Sequence, residues 1–193
     1  MDYTPHYFVR VNGDTLHNNV ANTACFVPGE PPAFPSTFFN YLKFCFERNI
    51  VRIGWPDTGD LLAPTPGEGA LANCYSLATV LPYRRKYLET FRDIPVGSVI
   101  LVPDKDCPGK LHICTVTKAY HYFYNVPADP YECAHRLGVT WDRDSVGQPI
   151  EYSAMTVEID IHGGVWRRAF HQFRTGDRII NNVERARAQV GKG

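Results

Sequence analysis

Between Val96 and Tyr124 the chain carries two β-type runs in succession, VGSVILV and KLHICTVTKAYHYFY, with Asp104–Gly109 (DKDCPG) turning between them. A turn that short leaves the two runs only an antiparallel pairing, because a parallel return needs a crossover of roughly a dozen residues or more. A third run, Ala134–Trp141 (AHRLGVTW), follows a loop at Val126–Pro130. The second half of the chain is therefore built around an antiparallel sheet.

Further strands are expected at His6–Val11 (HYFVRV), which stops at the turn-forming Asn12-Gly13-Asp14, at Ile50–Trp55 (IVRIGW), stopped by Pro56, and along Glu151–Ile161, which alternates before Gly163-Gly164. Helical spacing of Phe38, Tyr41, Leu42, Cys45 and Phe46 predicts a helix from an N-cap at Ser36 to about Asn49, with those side chains facing the core. A second helical stretch covers Ala70–Phe91, interrupted before Pro82, and Arg178–Val190 reads as a terminal helix. The predicted class is α+β: a mostly antiparallel, curved sheet or small barrel, with two or three flanking helices and a C-terminal helix. At 193 residues the chain has the size of one domain. Residues 1–145 would form its body, and 146–193 a strand and basic helical extension packed on it.

Apolar residues make up 44% and charged residues 21%, which argues for a packed globular chain rather than a disordered one. The formal net charge of zero conceals a basic end: residues 164–193 carry 7 basic and 2 acidic side chains. Such a tail suits either a solvated helix or a phosphate backbone. The six cysteines (Cys25, Cys45, Cys74, Cys107, Cys114 and Cys133) form no CxxC pair, so no structural zinc is expected, and no other metal or cofactor is called for. The polar, aromatic start lacks the apolar core of a leader peptide, and no run is long enough to cross a bilayer. The cytoplasm, with reduced thiols, is the expected compartment.

Three stretches, taken in order, resemble the PUA-like superfamily near its EVE and YTH domains. They are most similar to the N-terminal reader modules of Mrr-type and McrB-type restriction proteins. The first is Ile53-Gly54-Trp55 followed by Gly59-Asp60-Leu61; the second is Ile94–Pro103 (IPVGSVILVP); the third is Ile113–Tyr122 followed by Ala134–Trp141. The resemblance spans about residues 5–145. The chain departs from it at Ser98, where the family usually has aspartate, and matches nothing in it from Glu151 onward. No nuclease or ATPase segment accompanies these stretches. The resemblance implies a base-reading module, in a defence or RNA-related setting, that admits a flipped or single-stranded and sometimes modified base. Its partner would be DNA or RNA, with room for a separate effector nuclease subunit and no role for a membrane.

A base presents two π-faces for stacking and one polar edge for hydrogen bonding, so its pocket needs aromatics and a few amides or carboxylates. Trp55 and Trp141 end their strands and suit either a pocket wall or the core. Asp60 suits a base edge or the cap of its own turn, and Asn18, Asn19 and Asn22 suit a base edge or loop geometry. Tyr120, Tyr122 and Tyr124 share one strand face, with His121 and Phe123 on the other. One of these faces must be core and the other is open to stacking. The base-pocket set is thus Trp55, Asp60, Asn18, Asn19, Tyr120, Tyr122 and Trp141. Lys118, Arg136, Arg167, Arg168 and Arg174 are the cations suited to phosphates. Two enzyme readings compete with binding. Cys74 at a helix start and His112 on a later strand are similar to the order in papain-like cysteine hydrolases, and Glu158, Asp160 and His162 alternate as metal ligands would. A protein-interaction module with a filled pocket is the remaining alternative.

Overall fold

A computed structural model describes residues 4–11, 40–53, 60–62, 82–104, 106–123, 135–159 and 170–190. Among these are seven strands: β1 (His6–Val9), β2 (Ile50–Ile53), β3 (Val99–Pro103), β4 (Lys110–Tyr122), β5 (His135–Trp141), β6 (Tyr152–Ser153) and β7 (Phe170–Gln172). The three helices are α1 (Tyr41–Arg48), α2 (Pro82–Arg92) and α3 (Arg178–Val190). The strands form one mixed, mostly antiparallel sheet in the order β2-β5-β4-β3-β1-β7, with β6 on the start of β4. The α+β class and the C-terminal helix are as predicted. The sheet does not close into a barrel, because β2 and β7 lie at opposite ends of the ladder. The β3–β4 hairpin forms as its turn requires, and the one parallel pair, β1 with β3, was not foreseen.

Alternation along the strands gives the sheet two apolar faces. On one, Tyr7, Val9, Ile100, Val102, Cys114, Val116, Leu137, Val139 and Trp141 pack with Leu42 and Cys45 of α1 and with Leu88 and Phe91 of α2. On the other, Phe8, Val99, Leu101, Leu111 and Ile113 pack with Ile179, Val183 and Ala186 of α3. Helices cover both faces because each face of these strands is apolar. The C-terminal segment thus contributes to a core shared with β1, β3 and β4.

Several local expectations are corrected. The N-cap of α1 is Asn40, whose Oδ1 accepts from Lys43 N at 2.8 Å, while Ser36 lies outside the described residues. The helix ends where predicted: Asn49 takes a left-handed φ of 51° and its N–H reaches back to the last turn. Among the described residues of the alternating stretch at Glu151–Ile161, only Tyr152–Ser153 is strand. Ala154 to Ile159 instead coil through short turns, with Glu158 at a φ of 58°, and bury Ala154, Val157 and Ile159 in the α3-side core. The turns place those three apolar side chains in the core, so the alternation serves burial and not a strand. Of the Glu158, Asp160 and His162 set, Glu158 sits in these turns and not on a strand, and Asp160 and His162 lie outside the described residues. The three-residue β7 was too short to announce itself.

β4 runs unbroken but is irregular where it meets β5. Partners pass from Val116↔Val139 to Lys118↔Gly138 to His121↔Arg136, so β4 spends five residues where β5 spends three. The extra residues bend β4, and the bend presses it onto Gly138, where an added Cβ would stand 2.7 Å from Lys118 Cβ. Gly138→Ala is therefore expected to lower stability by about 1–3 kcal/mol through overpacking against a strand backbone. Urea unfolding would read this directly.

Candidate functional site

The far half of β4 and the start of β5 bring together most of the described residues singled out from the sequence. On the inner face, the Tyr120 hydroxyl lies 2.8 Å from His135 Nδ1 and accepts from Leu61 N at 3.2 Å. The Tyr120 ring stacks on His135 at 5.9 Å, and Tyr122 meets the same imidazole edge-on at 5.3 Å. Asp60 begins the turn that carries Leu61, and its Oδ1 accepts from Leu62 N at 3.0 Å, so that oxygen caps its own turn. Of the residues the sequence grouped as a base pocket, Tyr120 and Tyr122 meet at His135, and Asp60 begins the turn whose Leu61 N–H reaches the Tyr120 hydroxyl.

Their chemistry is more closed than a base pocket needs. Tyr120 and His135 are buried, and burial pushes the Tyr120 phenol well above its ordinary range. Trp141 is corrected outright. It is 2% exposed, its indole N–H donates to Cys45 O at 3.2 Å, and Phe46 packs edge-on against it at 4.7 Å. Both its faces and its polar edge are spent on the core, which removes it from any pocket. Trp55, Asn18, Asn19, Asn22, Tyr124, Arg167 and Arg168 lie outside the described residues, as does Cys74.

The opposite face of these strand ends carries a row of cations and rings that reaches the surface at Phe123. Arg52, Arg136 and His121 form a row across three strands, Arg52 opposite Arg136 and Arg136 opposite His121. Arg136 is buried, yet its guanidinium lies over two rings, Phe44 at 5.7 Å and Phe123 at 5.0 Å. Arg48 lies over Phe44 as well, at 5.7 Å, so cations and rings alternate as Arg48, Phe44, Arg136 and Phe123. The series ends on Phe123, which is 46% exposed. Lys118 is exposed on the same stretch of β4, and His121 is half-buried. Burial lowers the His121 pKa against the pull of the Ala119 carbonyl, with Lys118 and Arg136 adding to the lowering. The exposed cations here are Arg48 and Lys118, whereas Arg52 and Arg136 are buried.

The sequence marked the alternate face holding His121 and Phe123 as one of two stacking surfaces, and it named Lys118 and Arg136. It missed Phe44, Arg48 and Arg52. The available signal was an arginine in the middle of each of two apolar runs, IVRIGW and AHRLGVTW, which is costly unless the guanidinium has aromatic or anionic company.

The basic tail is only partly a surface. Arg174 is exposed, but Arg187 forms a bidentate pair with Asp142 at 2.7 and 2.8 Å and also donates to Thr115 Oγ1 at 2.9 Å. At the opposite end of β4, donor atoms of Asp104, His112 and Glu151 all lie within 4.8 Å of one another. His112 thus sits beside two carboxylates, and Cys74, its partner in the hydrolase alternative, lies outside the described residues. No family model matches the chain, and no curated protein matches its sequence.

Proposed function

We propose that this chain binds nucleic acid, with a base of a single-stranded or flipped segment stacking on Phe123 and the backbone following Lys118. The observation that carries the reading is the alternating cation–aromatic series that ends on the exposed Phe123 ring. Arg136 lies over that ring, and the ring is 46% exposed, which offers a planar partner a surface to stack on. A base on an aromatic ring is worth about 1–3 kcal/mol, and a guanidinium behind the ring makes its outer face no weaker a platform. The likeness of the sequence to PUA-like reader modules supports the same reading, with DNA or RNA and modified bases as the ligand class. On this proposal Tyr120 and Trp141 hold the platform in place and do not touch the ligand.

The test is fluorescence anisotropy with labelled single-stranded DNA and RNA oligonucleotides. Phe123→Ala is expected to weaken binding by about 1–3 kcal/mol, roughly 5- to 150-fold, with little change in salt dependence. Lys118→Ala should weaken all sequences alike and reduce the salt slope by about 0.7 for single strands. Both side chains are exposed enough for the fold to tolerate their loss. Absence of binding at low salt to every oligonucleotide tested, modified bases included, would reject the proposal and favour a protein-interaction module.

A further inference from the structure

The group at the other end of β4 is built from three separate segments. Asp104 closes β3, His112 lies on β4, and Glu151 precedes β6. The side chain of His112 is 5% exposed. Its Nδ1 lies 2.8 Å from the Ile150 carbonyl, an atom that can only accept, so Nδ1 carries the proton. In the neutral ring Nε2 then presents a lone pair.

That lone pair points at carboxylates. Asp104 Oδ2 is the near one, at 3.9 Å, beyond hydrogen-bond distance. Asp104 is itself held: its Oδ1 accepts from Asp106 N at 2.8 Å and Cys107 N at 3.2 Å, which turns Oδ2 toward the histidine. Residues 150 and 151 serve two purposes, since the Ile150 carbonyl orients the imidazole and Glu151 supplies the second carboxylate. Phe46 packs edge-on against the imidazole at 4.7 Å and restricts its rotation. The imidazole of the largely buried His112 and the carboxylates of Asp104 and Glu151 thus converge, each offering one donor atom to a space in which all three lie within 4.8 Å of one another. Lys110 Nζ stands at the exposed rim, 3.9 Å from Glu151 Oε2.

We propose that Asp104, His112 and Glu151 form a binding site for a divalent first-row transition ion such as Zn2+ or Mn2+. Two carboxylates balance the ion's charge, and the imidazole favours such ions over Mg2+ or Ca2+. A carbonyl on the far nitrogen is the usual way a ligating histidine is oriented and its tautomer set. Bonds of about 2.0–2.2 Å place neighbouring ligands roughly 3–3.5 Å apart, so the cluster need close only modestly. The exposed Glu151 side chain has the freedom to do most of that. Three protein ligands leave at least one position for water or for an oxygen of a ligand. The site lies roughly 30 Å along β4 from Phe123 and does not depend on the nucleic-acid proposal.

The experiment is calorimetric titration of the chelator-treated full chain with Zn2+ and with Mn2+, the latter also followed by electron paramagnetic resonance. One ion per chain is expected. Glu151→Gln and Asp104→Asn should each weaken it by about 10-fold or more. Glu151 is exposed, so its substitution leaves the metal-free fold and melting temperature unchanged and keeps the test independent of stability. No saturable binding up to about 1 mM free metal would overturn the proposal, as would stoichiometric binding that neither substitution weakens.

Discussion

Trp141→Ala is expected to lower the unfolding free energy by about 3–5 kcal/mol, the range for a large aromatic removed from a packed core. The indole is 2% exposed, and its N–H is spent on the Cys45 carbonyl of α1, so the substitution opens a cavity and removes a buried hydrogen bond, leaving that carbonyl only its bond from Asn49 N–H. Phe46 loses its edge-on partner as well, and Phe46 is the ring that packs on His112. Trp141→Phe keeps most of the volume and gives up the hydrogen bond, so it should cost markedly less. Urea unfolding of both variants checks this. A loss below about 1 kcal/mol for the alanine variant, well short of the cavity range, would mean that Trp141 lines open space after all.

Asp142→Ala should cost about 2–3 kcal/mol, in the range for hydrogen bonds to charged groups. It leaves the Arg187 guanidinium without its bidentate partner and the Tyr152 hydroxyl without its acceptor. Both charged side chains are less than a third exposed, at 25% for Arg187 and 16% for Asp142, so solvent makes up little of the loss. The pair ties the last turns of α3 to the sheet, and Thr115 on β4 receives the same guanidinium. Hydrogen exchange should accordingly show α3 amides losing protection before those of β3 and β4. Uniform loss across the chain would contradict this placement of the tie.

Much of the fold was legible because it rests on local signals. The DKDCPG turn dictated the β3–β4 hairpin, and helical spacing located most of α1 and α3. The pairings between β1 and β3 and between β1 and β7 join residues far apart in sequence, and no local pattern announces such partners. The stretch after Glu151 misled because alternating apolar residues serve a turn that buries Ala154, Val157 and Ile159 as well as they serve a strand.

The candidate site was legible by half. Alternation separated Tyr120 and Tyr122 from His121 and Phe123, but it could not say which side was core. That was decided by His135, which draws both tyrosines inward. A tryptophan at a strand end looks alike from the sequence whether it is rim or core, and only the Cys45 carbonyl decides for Trp141. The Asp104, His112 and Glu151 cluster was invisible because its side chains come from three segments with no motif spacing.

The most direct test of the nucleic-acid reading is a map of the bound surface. Amide chemical-shift perturbation of the isotope-labelled full chain, titrated with a short single-stranded oligonucleotide, reports it residue by residue. The expected result is a footprint centred on residues 118–123 of β4 and 135–138 of β5, with Arg48 and Arg52 at its border and α3 unmoved. A footprint confined to α3, or saturating oligonucleotide with no shift along β4, would contradict the account.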